Sequence, residues 1–164
     1  MRSVSMHKEL DEHEHEHEHE HEQKTIDNIE EYGCHVMHVF GEDLPRFTYT
    51  VGIFGKTNQP EIIVMGLKKD VAHIIVNDYN DFVRDGKIFE PGKFYSEFLN
   101  EYDVTFIEVT KEHYKEHFGW NIWYYDGTSF PVLQLIYPDK SGNWTWDDKA
   151  SDDFKWFQPV LGAC

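Results

Sequence analysis

The stretch Phe130 to Asp139 reads FPVLQLIYPD, an apolar run with a carboxamide at its centre. Strand alternation would place Val132, Gln134 and Ile136 on one face and Leu133, Leu135 and Tyr137 on the other. A buried amide left unpaired costs about 1–3 kcal/mol, so Gln134 needs partners. Thr48 or Thr50, Asp139 and Gln158 are the polar groups the sequence offers. Two readings follow. One is a hydrogen-bonded network that pins the C-terminal segment onto a sheet. The other is a pocket wall, where amides and a carboxylate orient a small polar ligand. In that second reading Tyr49, Thr50, Gln134, Asp139, Trp146 and Gln158 form the site. Tyr49 would stack, Gln134 and Gln158 would read amide or base edges, and Asp139 would accept hydrogen bonds.

The histidines suggest other chemistry. His113 and His117 are four apart in HYKEH, so a helix puts both on one face, which is half of a metal site. Tyr114 stands where a metalloprotease pattern needs glutamate, and no third ligand is evident nearby. The simpler reading is two exposed histidines on a charged helix, and no metal is assigned to the domain. His35 and His38 lie three apart in a strand, hence on opposite faces, and either could serve as a lone base beside a pocket. His73 falls at the rim of a helix's apolar stripe. A hydrolase using Asp139 or Glu61 with a histidine is a further reading, although no paired acid–base spacing stands out. Phosphate loops, dinucleotide fingerprints and Gly-x-Ser-x-Gly elbows do not occur, so no cofactor is expected.

Residues His13 to Glu22 read HEHEHEHEHE. A segment without apolar residues cannot offset its ordering entropy, so residues 1–24 are expected to be a disordered His/Glu-rich tail. His13, His15, His17, His19 and His21 would bind nickel, zinc or copper weakly and without specificity. An affinity tag, a repeat expansion and a metal-gathering tail all fit.

The chain has 164 residues, which favours one ordered domain, here residues 25–164. Its formal charge of -16 repels phosphate backbones and argues against nucleic acid as a partner. The same charge suits a basic partner protein. No stretch approaches a membrane span or a signal peptide, so a cytoplasmic location is expected. The two cysteines, Cys34 and Cys164, do not make a disulfide framework, and Cys34 reads as a small buried hydrophobe.

Several elements must position these groups. Thr25 to Gly33 reads as a short helix with Thr25 or Asp27 capping its start and Gly33 past its end. Cys34–Phe40, Arg46–Phe54, Glu61–Leu67, Val104–Thr110 and Phe130–Tyr137 read as strands. In the second of these, Phe47, Tyr49, Val51 and Ile53 share a face. GKTNQP reads as a loop. Val71, Ile74, Ile75, Tyr79, Phe82 and Val83 recur at helical spacing over about Asp70–Asp85, and Gly86 ends that helix. Lys111–Phe118 reads as helix, and the segment after Trp144 as an irregular aromatic cover. The pattern predicts an α+β fold: an antiparallel or mixed sheet of about five strands, with one long helix packed on one face.

The blocks FTYTVGIFG, PEIIVMGL, VLQLIYPDKSGNWTW and FQPVLG, in this order and spacing, resemble the bacterial family catalogued as domain of unknown function 4262. The resemblance spans about Tyr32 to Gly162. Its pattern maps onto Gly33, Phe47, Tyr49, Thr50, Gly52, Pro60, Glu61, Gly66, Gln134, Pro138, Asp139, Gly142, Trp146, Gln158 and Pro159. Thr145 departs from it, standing where the family usually has proline. The resemblance implies a small cytosolic bacterial or phage-borne domain and no established activity. The expected function is therefore a non-catalytic module for a small polar, nucleotide-like ligand, with an acidic interaction protein of the immunity or anti-defence type as the alternative.

Overall fold

The structure, a computed structural model, describes residues 19–163. Residues 1–18, with His13, His15 and His17 of the expected tail, lie outside the described residues. Helix α1 covers residues 19–32, so residues 19–24, which the sequence assigns to the polar tail, are helical. Thr25 is accordingly not a cap. It lies within the helix, buried, and its hydroxyl donates to the His21 carbonyl at 2.8 Å. Gly33 takes the left-handed conformation expected past the helix end, with φ 88°.

Among the described residues seven strands form one mixed sheet: β1 (His35–Val39), β2 (Phe47–Val51), β3 (Glu61–Met65), β4 (Phe94–Tyr95), β5 (Val104–Val109), β6 (Val132–Ile136) and β7 (Gly162–Ala163). The order is β1-β2-β3-β6-β5-β4, and β7 pairs with β5 beyond the stretch taken by β4. Of these strands only β3 and β6 pair in parallel, with Ile63 opposite Gln134. Both central strands are buried along their whole length, as expected of strands covered on two faces.

The long helix α3 (Lys69–Arg84) packs Ile75, Val76, Tyr79 and Val83 against Ile62, Val64, Leu133 and Leu135. The opposite face is not left open. Tyr114 of helix α4 (Tyr114–His117) and Phe118 beside it pack with Tyr49, Val51, Ile63, Phe130 and Val132, and helix α5 (Gly119–Tyr125) adds Ile122 and Tyr124. The fold is α+β as the sequence predicts. The helical stripe is rotated from the expected one, however: Ala72 and Asn80 are buried, while Val71 and Ile74 face solvent.

Two segments differ from expectation for identifiable reasons. Strand β2 stops at Val51 because Gly52 takes φ 105° and reverses the chain. The next residues form a short helix, α2 (Ile53–Thr57), rather than a loop, and Ile53 joins the core under α3 instead of sharing a face with Tyr49. Near the C-terminus, Ser151 accepts a hydrogen bond from Phe154 N at 3.1 Å and starts helix α6 (Asp152–Phe157) within the expected aromatic cover.

Candidate functional site

The proposed Gln134 pocket is absent. Gln134 is 0 % exposed. Its Nε2 donates to Pro159 O at 2.8 Å, and its Oε1 accepts from Leu161 N at 2.8 Å. Gln158, also sealed, spans Tyr137 in the same way: its Oε1 accepts from Tyr137 N at 3.1 Å and its Nε2 donates to Tyr137 O at 2.9 Å. Thr145 Oγ1 donates to Gln158 O at 3.0 Å. The two glutamines clamp residues 158–161 along the sheet and thereby place β7 on β5. This is the pinning network, and it leaves no amide group for a guest.

The remaining candidates scatter. Tyr49 is buried between Phe47 and Phe118, with ring centroids 6.0 and 5.4 Å away, so no ligand can stack on it. Asp139 Oδ1 accepts from Ser141 N at 2.9 Å and Asn143 N at 2.8 Å, which holds its own turn together. Trp146 stacks on Trp144 at 5.5 Å on the surface and borders a small apolar groove with Phe94.

Thr50 belongs to a different buried arrangement. Glu61, 0 % exposed, accepts from Thr50 Oγ1 (2.9 Å), Gly52 N (3.0 Å), Ile53 N (3.2 Å), Phe54 N (3.1 Å) and the Tyr125 hydroxyl. Those amides are the unsatisfied donors at the start of α2, which explains why that helix forms. Burial pushes the Glu61 carboxyl above its usual range, and the donated bonds, Tyr125's first, oppose the shift. Among the described residues, neither Glu61 nor Asp139 is hydrogen-bonded to a histidine, so the hydrolase reading finds no acid–base pair.

A larger opening lies at the free edge of β1, between α1 and α3. It is a cleft of about 730 Å³. Lys24, Lys69 and Arg84 bring three permanent cations to its wall, against the carboxylates of Glu31 and Asp81. The chain as a whole carries -16, so this excess of positive charge is local. Among the described residues none of the three cations is in an ion pair.

Three imidazoles line the same cleft. His38 Nδ1 lies 2.8 Å from Thr48 Oγ1, and its Nε2 lies 3.2 Å from His73 Nδ1, with the two rings stacked at 5.4 Å. Burial, then His73 and Lys69, lowers the His38 pKa to about 4, so the ring is neutral at pH 7. Asn28 Nδ2 lies 2.9 Å from His35 Nδ1, and burial, then Lys24 and His21, also lowers the His35 pKa. Cys34 sits at the cleft floor, where burial pushes its thiol up to about 12. That makes it unreactive, as a small buried hydrophobe should be.

One group in the wall is incomplete. Asn80 is 3 % exposed; its Nδ2 donates to Tyr32 O at 2.9 Å, but its Oδ1 has no partner. Arg84 Nη1 donates to the same carbonyl at 2.8 Å. The bond to Tyr32 O fixes the amide's orientation, and the unpartnered Oδ1 is itself buried rather than exposed in the cleft.

His35, His38 and His73 were visible in the sequence as lone candidates, but Lys24, Asn28, Lys69, Asn77, Asn80 and Arg84 were not singled out. A signal existed: Lys69, His73, Asn77, Asn80 and Arg84 recur at spacings of four, four, three and four, a polar ridge along α3.

The family model described as "Domain of unknown function (DUF4262)" matches residues 28–151, most of the chain. The chain belongs to this family. The DUF4262 match includes β1, α3, Glu61 and Gln134, and ends before Gln158. No curated protein and no solved structure matches the chain. Among the described residues of this DUF4262 protein, no helix is long and apolar enough to cross a membrane.

Proposed function

We propose that this DUF4262 protein is a binding module that holds a small polar anion, nucleotide-like in size, in the cleft between α1 and α3. The carrying observation is the convergence of Lys24, Lys69 and Arg84 on one cleft, with none of the three in an ion pair among the described residues. A guest that brings an anionic group to Lys24, Lys69 and Arg84 would satisfy these cations. The volume is within the range of small-molecule sites. His35, whose Nδ1 is taken by Asn28, can add a hydrogen bond through Nε2 without adding charge. Two carboxylates against three cations favour a low anionic charge, such as one phosphate or carboxylate, over a polyphosphate.

Thermal unfolding with adenosine monophosphate, inorganic phosphate and simple carboxylates tests this. At least one of these is expected to raise the melting temperature saturably. Lys69→Glu, on an exposed position, should weaken that binding at least tenfold and leave the ligand-free melting temperature in place. If none of these anions stabilises the protein at millimolar concentration, the reading fails.

A second reading, an acidic protein that masks a basic partner protein, draws on a surface ridge. Phe94 is exposed and packs at 5.6 Å on Trp144, which stacks on Trp146. Aromatic anchors on a chain of net charge -16 suit a basic surface. Capture of such a partner should fall with salt and with Trp146→Ala; capture unaffected by either removes this reading.

A further inference from the structure

We propose that His113, Glu116 and His117 form a site for a divalent transition-metal ion of the zinc class. The site lies on the face of the sheet opposite α3 and is independent of the cleft.

The sequence leaves the two histidines one ligand short. The structure supplies it from the residue just before His117. His113 closes a 3-10 turn (Lys111–His113) that runs directly into α4, and Glu116 and His117 follow three and four residues later, on the same side of that turn. One ligand atom from each of the three lies within 4.8 Å of the other two. That separation lets a single ion bridge them with small side-chain movement, because zinc binds nitrogen and oxygen at about 2.0–2.2 Å.

His117 is also prepared as a ligand. Its Nδ1 is 3.0 Å from the His113 carbonyl oxygen. A carbonyl only accepts, so Nδ1 carries the proton and Nε2 keeps its lone pair. Metal-binding imidazoles are commonly oriented in this way by a backbone carbonyl on the other ring nitrogen. The ring is further held by Phe47, with centroids 5.0 Å apart, and Phe118 at 6.0 Å. Less rotamer freedom is then lost when an ion binds. Glu116 is exposed and makes no ion pair among the described residues, so its carboxylate is available to offset the ion's charge. Two imidazoles and one carboxylate select zinc, cobalt, nickel or copper over magnesium or calcium. Three protein ligands leave a position that water would complete.

The test uses the full chain with His13, His15, His17, His19 and His21 replaced by serine, so that the tract does not compete. Titration with Co²⁺ should give a visible absorption band that saturates at one ion per chain and is displaced by Zn²⁺. Glu116→Gln should weaken binding at least tenfold, and His113→Ala more. Both positions are at least partly exposed, so these variants should fold, and their metal-free melting curves check that. If Co²⁺ gives no saturable band, or if both variants bind as tightly as the parent, the proposal is overturned.

Discussion

The Tyr125 hydroxyl hydrogen-bonds the buried Glu61 carboxylate while accepting from Gly55 N at 3.1 Å. With that acceptor role filled, its proton points at Glu61. Thr50 Oγ1 already accepts from Ile62 N at 3.1 Å, so its proton points at Glu61, and the other three partners are backbone amides. Each of these partners therefore aims a donor at the carboxylate.

Tyr125→Phe should destabilise the fold by about 1–3 kcal/mol, the cost of stripping a buried charged group of one donor. The loss should also depend on pH. The Glu61 pKa is raised on folding, so its contribution is full below the ordinary carboxylate range and is lost as pH rises through the folded value. Removing a bond that opposes the shift raises the folded value further. The deficit of the variant should thus be larger at pH 8 than at pH 5 in urea unfolding. Equal deficits at both would show that Tyr125 does not govern this carboxyl.

Gln134→Leu keeps the volume but strands Pro159 O and Leu161 N inside the protein. The expected cost is about 2–4 kcal/mol for two buried groups without partners. The Leu161 amide, bonded at 2.8 Å in the parent, should exchange with solvent much faster. Unchanged exchange there would mean that the C-terminal segment is held by something else.

Gly52→Ala meets two obstacles. The residue has φ 105°, and an added Cβ would lie 2.7 Å from Ile29 Cγ1 on α1. Backbone strain of about 1–3 kcal/mol adds to the displacement of a fully buried side chain. A melting temperature within a degree of the parent would contradict this geometry.

The pH response of the cleft should centre on His38. Its folded pKa, about 4, lies below the ordinary value, so the stability it contributes is present above about pH 6.5 and is lost as pH falls toward 4. The groups facing it are His73, Lys69, His35 and Thr48. His38→Gln should flatten the fall in melting temperature between pH 7 and pH 5. An anion in the cleft should in turn raise the His38 pKa, readable as a shift of its ring proton resonance on adding the anion. A resonance that titrates near 6.5 with or without anion would remove both expectations.

Much of the frame was legible without coordinates. Period-two alternation marks which face of β2 and β6 each residue takes, and the 3.6-residue recurrence marks α3, because both depend on neighbours a few positions away. Gly33 and Gly86 end their helices for an equally local reason, the left-handed backbone that glycine tolerates. That Gln134 needed partners also followed from its place among apolar residues.

Which partners it found did not follow. Pairing with Pro159 and Leu161 depends on where a segment 25 to 27 residues away is laid, and that is decided by packing over the whole sheet. The same holds for α2, which exists because Glu61 reaches back to its first amides, and for the cleft, whose walls come from α1, β1 and α3. A periodic pattern states which side of an element is apolar. It does not state which distant element covers that side or where the cover stops, and the openings of this protein lie at those margins.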